Sequence, residues 1–122
     1  MAKTVLVVED FDDVRHAMRI MVQLSGHEVI EAADGQQAVQ RAVEYLPDLI
    51  LMDLAMPVFD GIEATKELRS DPKTSQIPIV AVTSYGQLYR ERALEAGCNE
   101  VLDKPQLMSD LGMVNSLVSK YA

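Results

Sequence analysis

The sequence predicts a doubly wound α/β fold: a five-stranded parallel sheet flanked by five helices. Three observations lead there. Short apolar, β-branched runs alternate regularly with segments of helical period. The runs Val5–Val8 and Leu49–Met52 are apolar at every position, as a strand covered on both faces requires. Strands joined through helices must run parallel with right-handed crossovers, and the usual order for five such strands is 2-1-3-4-5. At 122 residues with no internal repeat or linker, residues 1–122 are expected to form one domain.

Thr4–Val8 reads as the first buried strand. From Asp13 the period changes: Val14, Ala17, Met18 and Met21 share one helical face, and Arg15, Arg19 and Gln23 point elsewhere. Gly26 is placed to cap that helix. Glu28–Ala32 is short and partly polar, which suits an edge strand. After the turn Ala33-Asp34-Gly35, a second helix is marked by Ala38, Val39, Ala42, Val43 and Leu46, and Pro47 stops it. Asp48–Met52 is a second buried strand, ending at Asp53. Met56-Pro57 and Asp60-Gly61 punctuate a loop before a helix over Ile62–Ser70. A polar loop over Ser70–Ile77 leads to a strand over Ile77–Val82, ending at Thr83 and Ser84. Leu88–Ala96 reads as a helix closed by Gly97, and Glu100–Leu102 as a brief strand. One final helix is expected, with Leu107, Leu111, Val114, Leu117, Val118 and Tyr121 on its stripe and Gly112 as a weak point.

Charge narrows the function. Eleven Lys and Arg against nineteen Asp and Glu give a formal net charge of -8. Duplex nucleic acid calls for a basic footprint, and an anionic membrane surface for a cationic one, so neither is an expected partner. No apolar run approaches the roughly 20 residues of a membrane helix. The apolar run near Met1 gives way at once to Glu9 and Asp10, unlike a secretory signal. The lone Cys98 cannot pair within the chain, and a reducing cytoplasmic setting is expected.

In a sheet of this kind ligands bind beyond the carboxyl ends of the strands. The residues at those ends are Glu9 and Asp10, Asp53, Thr83 and Ser84, and Lys104. Taken singly, an Asp at a strand–helix junction is a helix cap, a Thr a turn residue and a Lys a solvated surface group. Caps would explain the acids, but not an ammonium and a hydroxyl at the same edge. Three carboxylates in close proximity repel by roughly 1–4 kcal/mol per pair, unless one is protonated or a cation sits among them. A few hard oxygen ligands suit Mg²⁺, and no Cys/His cluster is present for zinc. A divalent cation, an ammonium and a hydroxyl around a carboxylate make a phosphoryl-transfer site in which an Asp is the nucleophile.

These same stretches are recognisable. Val5-Leu-Val-Val-Glu9-Asp10-Phe-Asp-Asp-Val-Arg15, then Leu49-Ile-Leu-Met-Asp53-Leu-Ala-Met-Pro57-Val-Phe-Asp60-Gly61, then Val80-Ala-Val-Thr83-Ser84 and finally Lys104-Pro105 resemble the receiver domain of two-component response regulators. The resemblance spans essentially the whole chain and implies a flavodoxin-like, CheY-like fold. It also implies roles. Asp53 would accept a phosphoryl group from the phosphohistidine of a partner kinase. Asp10 would ligate Mg²⁺ directly, Glu9 through water, with Asp53 and the backbone carbonyl of Ala55 completing the protein ligands. Thr83 and Lys104 would contact phosphoryl oxygens, and the Lys104–Pro105 bond would be cis. Such a receiver also catalyses loss of its own phosphate without being a conventional turnover enzyme. Its partners would be a sensor histidine kinase or phosphotransfer protein and a downstream protein target. The surface expected to change comprises Leu88–Ala96, Glu100–Leu102 and the last helix, which adjoin Thr83 and Lys104. No effector segment follows that helix in this sequence; a stand-alone receiver would act by docking on another protein, and a receiver excised from a longer protein would look the same.

Some positions depart from the family pattern. Val101, three before Lys104, replaces the usual aromatic, so an aromatic switch would need another residue; Tyr85 is a candidate, although its plainer reading is a semi-exposed rim tyrosine. Gln106 follows Pro105 where Phe is common. Ala55 has no side chain to position a hydrolytic water. Cys98 is expected to be a buried small residue, neither His16 nor His27 reads as a base, and Phe59 is expected to pack. Two other classes lose on named residues. An aspartyl-phosphate phosphatase wants an acid at position 55. A flavin-binding electron carrier wants a hydroxyl-rich loop after the first strand, where Glu9, Asp10, Asp12 and Asp13 would repel phosphate.

Overall fold

In the computed structural model, described over residues 2–54, 61–84 and 86–122, five parallel strands form one sheet in the order β2-β1-β3-β4-β5. The strands are β1 (Thr4–Val8), β2 (Glu28–Ala32), β3 (Leu49–Asp53), β4 (Ile79–Thr83) and β5 (Glu100–Asp103). The edge position expected of Glu28–Ala32 is the one it takes. β3, β4 and β5 each run one residue past the expected end, so Asp53, Thr83 and Asp103 are the last residues of their strands.

The period-2 alternation of the strands divides the core between the two faces. Leu6, Val8, Ile50, Met52, Ile79 and Ala81 face one way, against helices α2 (Gly35–Tyr45), α3 (Gly61–Ser70) and α4 (Gly86–Ala96). Val5, Val7, Leu49, Leu51, Val80 and Val82 face the other, against α1 (Asp12–Leu24), α5 (Lys104–Met108) and α6 (Met113–Tyr121). Small residues on the first side, Ala38, Ala42, Ala64, Ala93 and Ala96, let three helices pack where larger side chains would hold them off.

Helix ends follow local chemistry. Asp34 caps α2 by accepting from the Gln37 N–H at 2.8 Å, and the Gln37 amide oxygen accepts in return from the Ala33 N–H at 2.8 Å. Leu46 ends α2 in the left-handed region at φ 47, ahead of Pro47, which cannot continue a helix. Gly26, at φ 89, closes α1 as its sequence position suggested.

Two expectations are corrected. The single final helix is two, interrupted over residues 109–112. There the Asp110 carboxylate accepts from the Gly112 N–H at 2.9 Å, a local turn that competes with helical bonding and is permitted by the poor helix propensity of Gly. Leu111, expected on the buried stripe, is consequently 68% exposed. The second correction is the Lys104–Pro105 bond, which is trans, as no peptide bond among the described residues is cis. β5 runs straight into α5, where Pro105 occupies the first turn and its missing N–H has no helical partner to lose.

Candidate active site

The strand register assembles the site. Val8 lies opposite Met52, so the next residues, Glu9 and Asp53, leave the sheet side by side. Asp53 lies opposite Val82, one residue before Thr83, and Thr83 lies opposite Asp103, one before Lys104. Four adjacent chain segments thus deliver Glu9 with Asp10, Asp53, Thr83 and Lys104 to one edge. Glu9, Asp53 and Thr83 are buried, and Asp10 is half-buried.

The Lys104 ammonium reaches two of the acids. Its Nζ is 2.5 Å from Glu9 Oε1 and 3.6 Å from Asp53 Oδ2. Burial pushes the Glu9 carboxyl up, but hydrogen bonding to Asp53 and Lys104 outweighs it and holds the group below the usual carboxylate range. For Lys104 burial pulls downward, and the hydrogen bond to Glu9 with the field of Asp53 reverses that, leaving the ammonium raised. Glu9 and Lys104 are therefore held as an ion pair.

The donor set suits a hard cation. One oxygen each from Glu9, Asp10 and Asp53 lies within 4.8 Å of the others. That span is close to the roughly 4.2 Å between opposite ligands of a Mg²⁺ octahedron. Lys104 offsets one of the three negative charges, which leaves an excess that a divalent ion would neutralise. Of the six residues singled out at the strand ends, Glu9, Asp10, Asp53, Thr83 and Lys104 meet at one edge, and Ser84 is exposed beside them. Ala55, expected to contribute its carbonyl, lies outside the described residues, as do Phe59 and Tyr85.

Comparison with known proteins decides the family, because the model for the response regulator receiver domain matches residues 5–114. The chain belongs to the response regulator receiver family. A curated relative, the polar-differentiation response regulator DivK of Brucella anthropi, is 38% identical over 106 residues, covering 86% of each chain. Among solved structures, this receiver is similar to the receiver domain of sensor histidine kinase PA1611 from Pseudomonas aeruginosa PAO1. That match has 34% identity and a TM-score of 0.89, covering 99% of this chain and 98% of the other. The Pseudomonas receiver carries a magnesium ion coordinated in its active-site cleft. The Vibrio cholerae chemotaxis protein CheY4 matches at 26% identity and TM-score 0.88, with full coverage of both chains.

Beyond the motif residues, the receiver places Arg15 where the helical pattern does not. Assigned to the polar side of α1, it turns back and donates from one guanidinium nitrogen to the Glu9 backbone oxygen at 2.8 Å. The available signal is its spacing: a long cationic side chain one turn into the helix that follows the paired acids. Cys98 is buried beside Thr65, as expected, and Val101 packs in the core. His27 is structural, its Nδ1 accepting from the Lys3 N–H at 3.0 Å while Nε2 meets Asn115 Oδ1 at 2.7 Å.

Proposed function

We propose that this receiver takes a phosphoryl group onto Asp53 from the phosphohistidine of a sensor kinase or phosphotransfer protein. The observation that carries the reading is the ammonium of Lys104 at 3.6 Å from Asp53 Oδ2, on the rim of a three-carboxylate cluster. An Asp53 oxygen attacks phosphorus, the P–N bond of the donor breaks, and the departing imidazole takes up a proton. Charge grows on the transferring oxygens, so positioned cations and donors do most of the work. Lys104 supplies one such cation, and the Thr83 hydroxyl, at the adjacent strand end, one donor. Mg²⁺ held by Glu9, Asp10 and Asp53 would supply charge neutralisation at the same oxygens.

The same arrangement supports attack by water on the acyl phosphate, which releases inorganic phosphate and resets Asp53. The receiver is then its own catalyst in both directions and has no turnover of a separate substrate. The output is a docking surface for a protein target. It comprises α4, β5 and the α5–α6 segment, which join Thr83 and Lys104 directly and where Leu88 and Leu94 are exposed. Residues 1–122 act as one receiver domain, and the compartment is the cytoplasm, in keeping with the absence among the described residues of any helix long and apolar enough to cross a membrane.

The test is incubation with acetyl phosphate and MgCl₂, followed by intact mass. A single phosphate adduct on the native chain, absent in Asp53→Asn and when EDTA replaces the metal, is the expected result. An adduct that persists in Asp53→Asn overturns the assignment.

A further inference from the structure

Arg15 lies outside the cluster of acids, yet it joins the turn that carries them to the first turn of α1 and to the edge strand β2. The first contact is the Glu9 backbone oxygen at 2.8 Å, a carbonyl just past the end of β1. The second is Asp12 Oδ1 in the first turn of α1, at 2.6 Å. The third is Glu31 Oε1 of β2, at 3.4 Å from the guanidinium Nε. Glu31 is itself held from a second side, because Arg19 approaches its other oxygen at 3.6 Å. Arg19 is steadied in turn by His16 Nδ1 at 2.6 Å. The Arg15 side chain is 17% exposed, so these contacts are partly shielded from water.

The geometry points to Arg15 as a positioning residue for the metal end of the site: through the Glu9 carbonyl it sets the turn from which Glu9 and Asp10 reach the cation. The inference rests on the proposed reading of the site as a Mg²⁺-dependent phosphoacceptor. Its physical basis is specific. Glu9 and Asp10 are consecutive, so their carboxylates point in directions set by the backbone between them, and the Glu9 carbonyl is part of that backbone. Mg²⁺ demands near-ideal octahedral geometry and tolerates misplaced ligands poorly. A guanidinium is a rigid fork that can serve a carbonyl and two carboxylates at once, whereas a lysine offers a single point charge. The links to Asp12 and Glu31 fix the fork between α1 and the edge strand, so the position of Asp10 is referred to two elements rather than to a free loop.

Arg15 touches neither the cation nor phosphate, so its loss must act through ligand placement. Removing residues that orient metal ligands typically weakens metal binding by about 10–100-fold. We expect Arg15→Gln to raise the Mg²⁺ dissociation constant about tenfold. This is read without phosphodonor, from MgCl₂ titration of the Glu9, Asp10 and Asp53 amide resonances by NMR. In acetyl phosphate assays the half-saturating MgCl₂ should rise by the same factor, with the rate at saturating metal within about twofold of native. Arg15→Lys should recover only part of the affinity. Glu31→Gln, which leaves the guanidinium in place but removes one anchor, should give a smaller shift of the same sign and serves if Arg15→Gln does not fold. A native dissociation constant in Arg15→Gln, or in Glu31→Gln should the former be unfolded, overturns the inference. If native protein gains no adduct at Asp53, the proposed function fails instead, and the binding titration still decides the role of Arg15.

Discussion

A Cβ built on Gly61 would run into the backbone oxygen of Asp53 and stand 2.9 Å from the Leu54 Cα. The first residue of α3 is thus packed directly on the strand end that presents the proposed phosphoacceptor, and its N–H donates to the Leu54 oxygen at 3.3 Å. Both obstructing groups are backbone atoms, at the end of β3 and just past it, which cannot rotate away as a side chain would.

Gly61→Ala should therefore destabilise the protein by about 1–3 kcal/mol, the usual cost of overpacking. Urea unfolding measures it. Because relief of the clash must move Asp53 or α3, phosphorylation by acetyl phosphate should slow in the folded variant. A variant as stable as native would show that α3 retreats without strain.

The Glu9–Lys104 pair predicts a pH profile. Glu9 titrates below its ordinary 4.5 in the folded chain, so its contribution is complete above that value and is lost as pH falls through the lowered one. Lys104 titrates above its ordinary 10.5, so its contribution holds below that value and is lost at higher pH. Lys104→Met leaves Glu9 buried with Asp53 and Asp10 and no ammonium, and about 1–3 kcal/mol should be lost near neutral pH without metal. Protonation relieves that repulsion, so the deficit should shrink on acidification. A deficit that is constant with pH would show that packing of the lysine stem, not its charge, is what matters.

Much of the fold could be read because each level of the sequence points the same way. Val5–Val8 and Leu49–Met52 are apolar at every position and can only be covered strands. The site residues were legible because strand ends in a parallel sheet are neighbours whatever their separation in sequence. Two features resisted. The stripe from Leu107 to Tyr121 is continuous in period, and it is broken by a local turn in which the Asp110 side chain accepts from the Gly112 N–H, a side-chain choice that hydrophobic periodicity does not encode. Arg15 is invisible to a hydrophobic pattern, which sorts residues by face and not by whether a long polar side chain folds back. The resemblance places Lys104 on a phosphoryl group, and the structure adds its resting partner, Glu9, at 2.5 Å.

Cys98 is buried, and burial pushes its thiol up, against smaller opposing effects from Thr65 and Arg69. The thiolate is the reactive form, so modification by a disulfide reagent should be slow in the folded protein and rapid in denaturant. Reaction of native protein at the rate of the unfolded chain would show that α4 and its following turn open readily, since Gly97 and Cys98 are bonded back to Ala93 at 3.2 and 3.0 Å.

The C-terminal helix should carry a pH-dependent tie of its own. Tyr121 Oη donates to Glu100 Oε1 at 2.5 Å, and Lys120 Nζ reaches the same oxygen at 3.1 Å, so α6 is fastened to the start of β5. The Tyr121 hydroxyl is the main reason Glu100 titrates below its ordinary 4.5, and its stabilisation is lost as pH falls through the lowered value. Tyr121 is itself raised above 10, by burial first and then by Glu100, so the tie holds below pH 10 and is lost as the phenol ionises at the raised value. Tyr121→Phe removes the hydrogen bond while leaving the ring. It should cost about 0.5–1 kcal/mol on the plateau between those limits, as expected for one partly solvated bond. The difference between native and variant, followed by urea unfolding, should narrow at both ends of the pH range. A difference that stays level into strong acid would show that the phenol packs against β5 without holding Glu100, and the attachment of α6 would then rest chiefly on the burial of Val114, Leu117 and Val118.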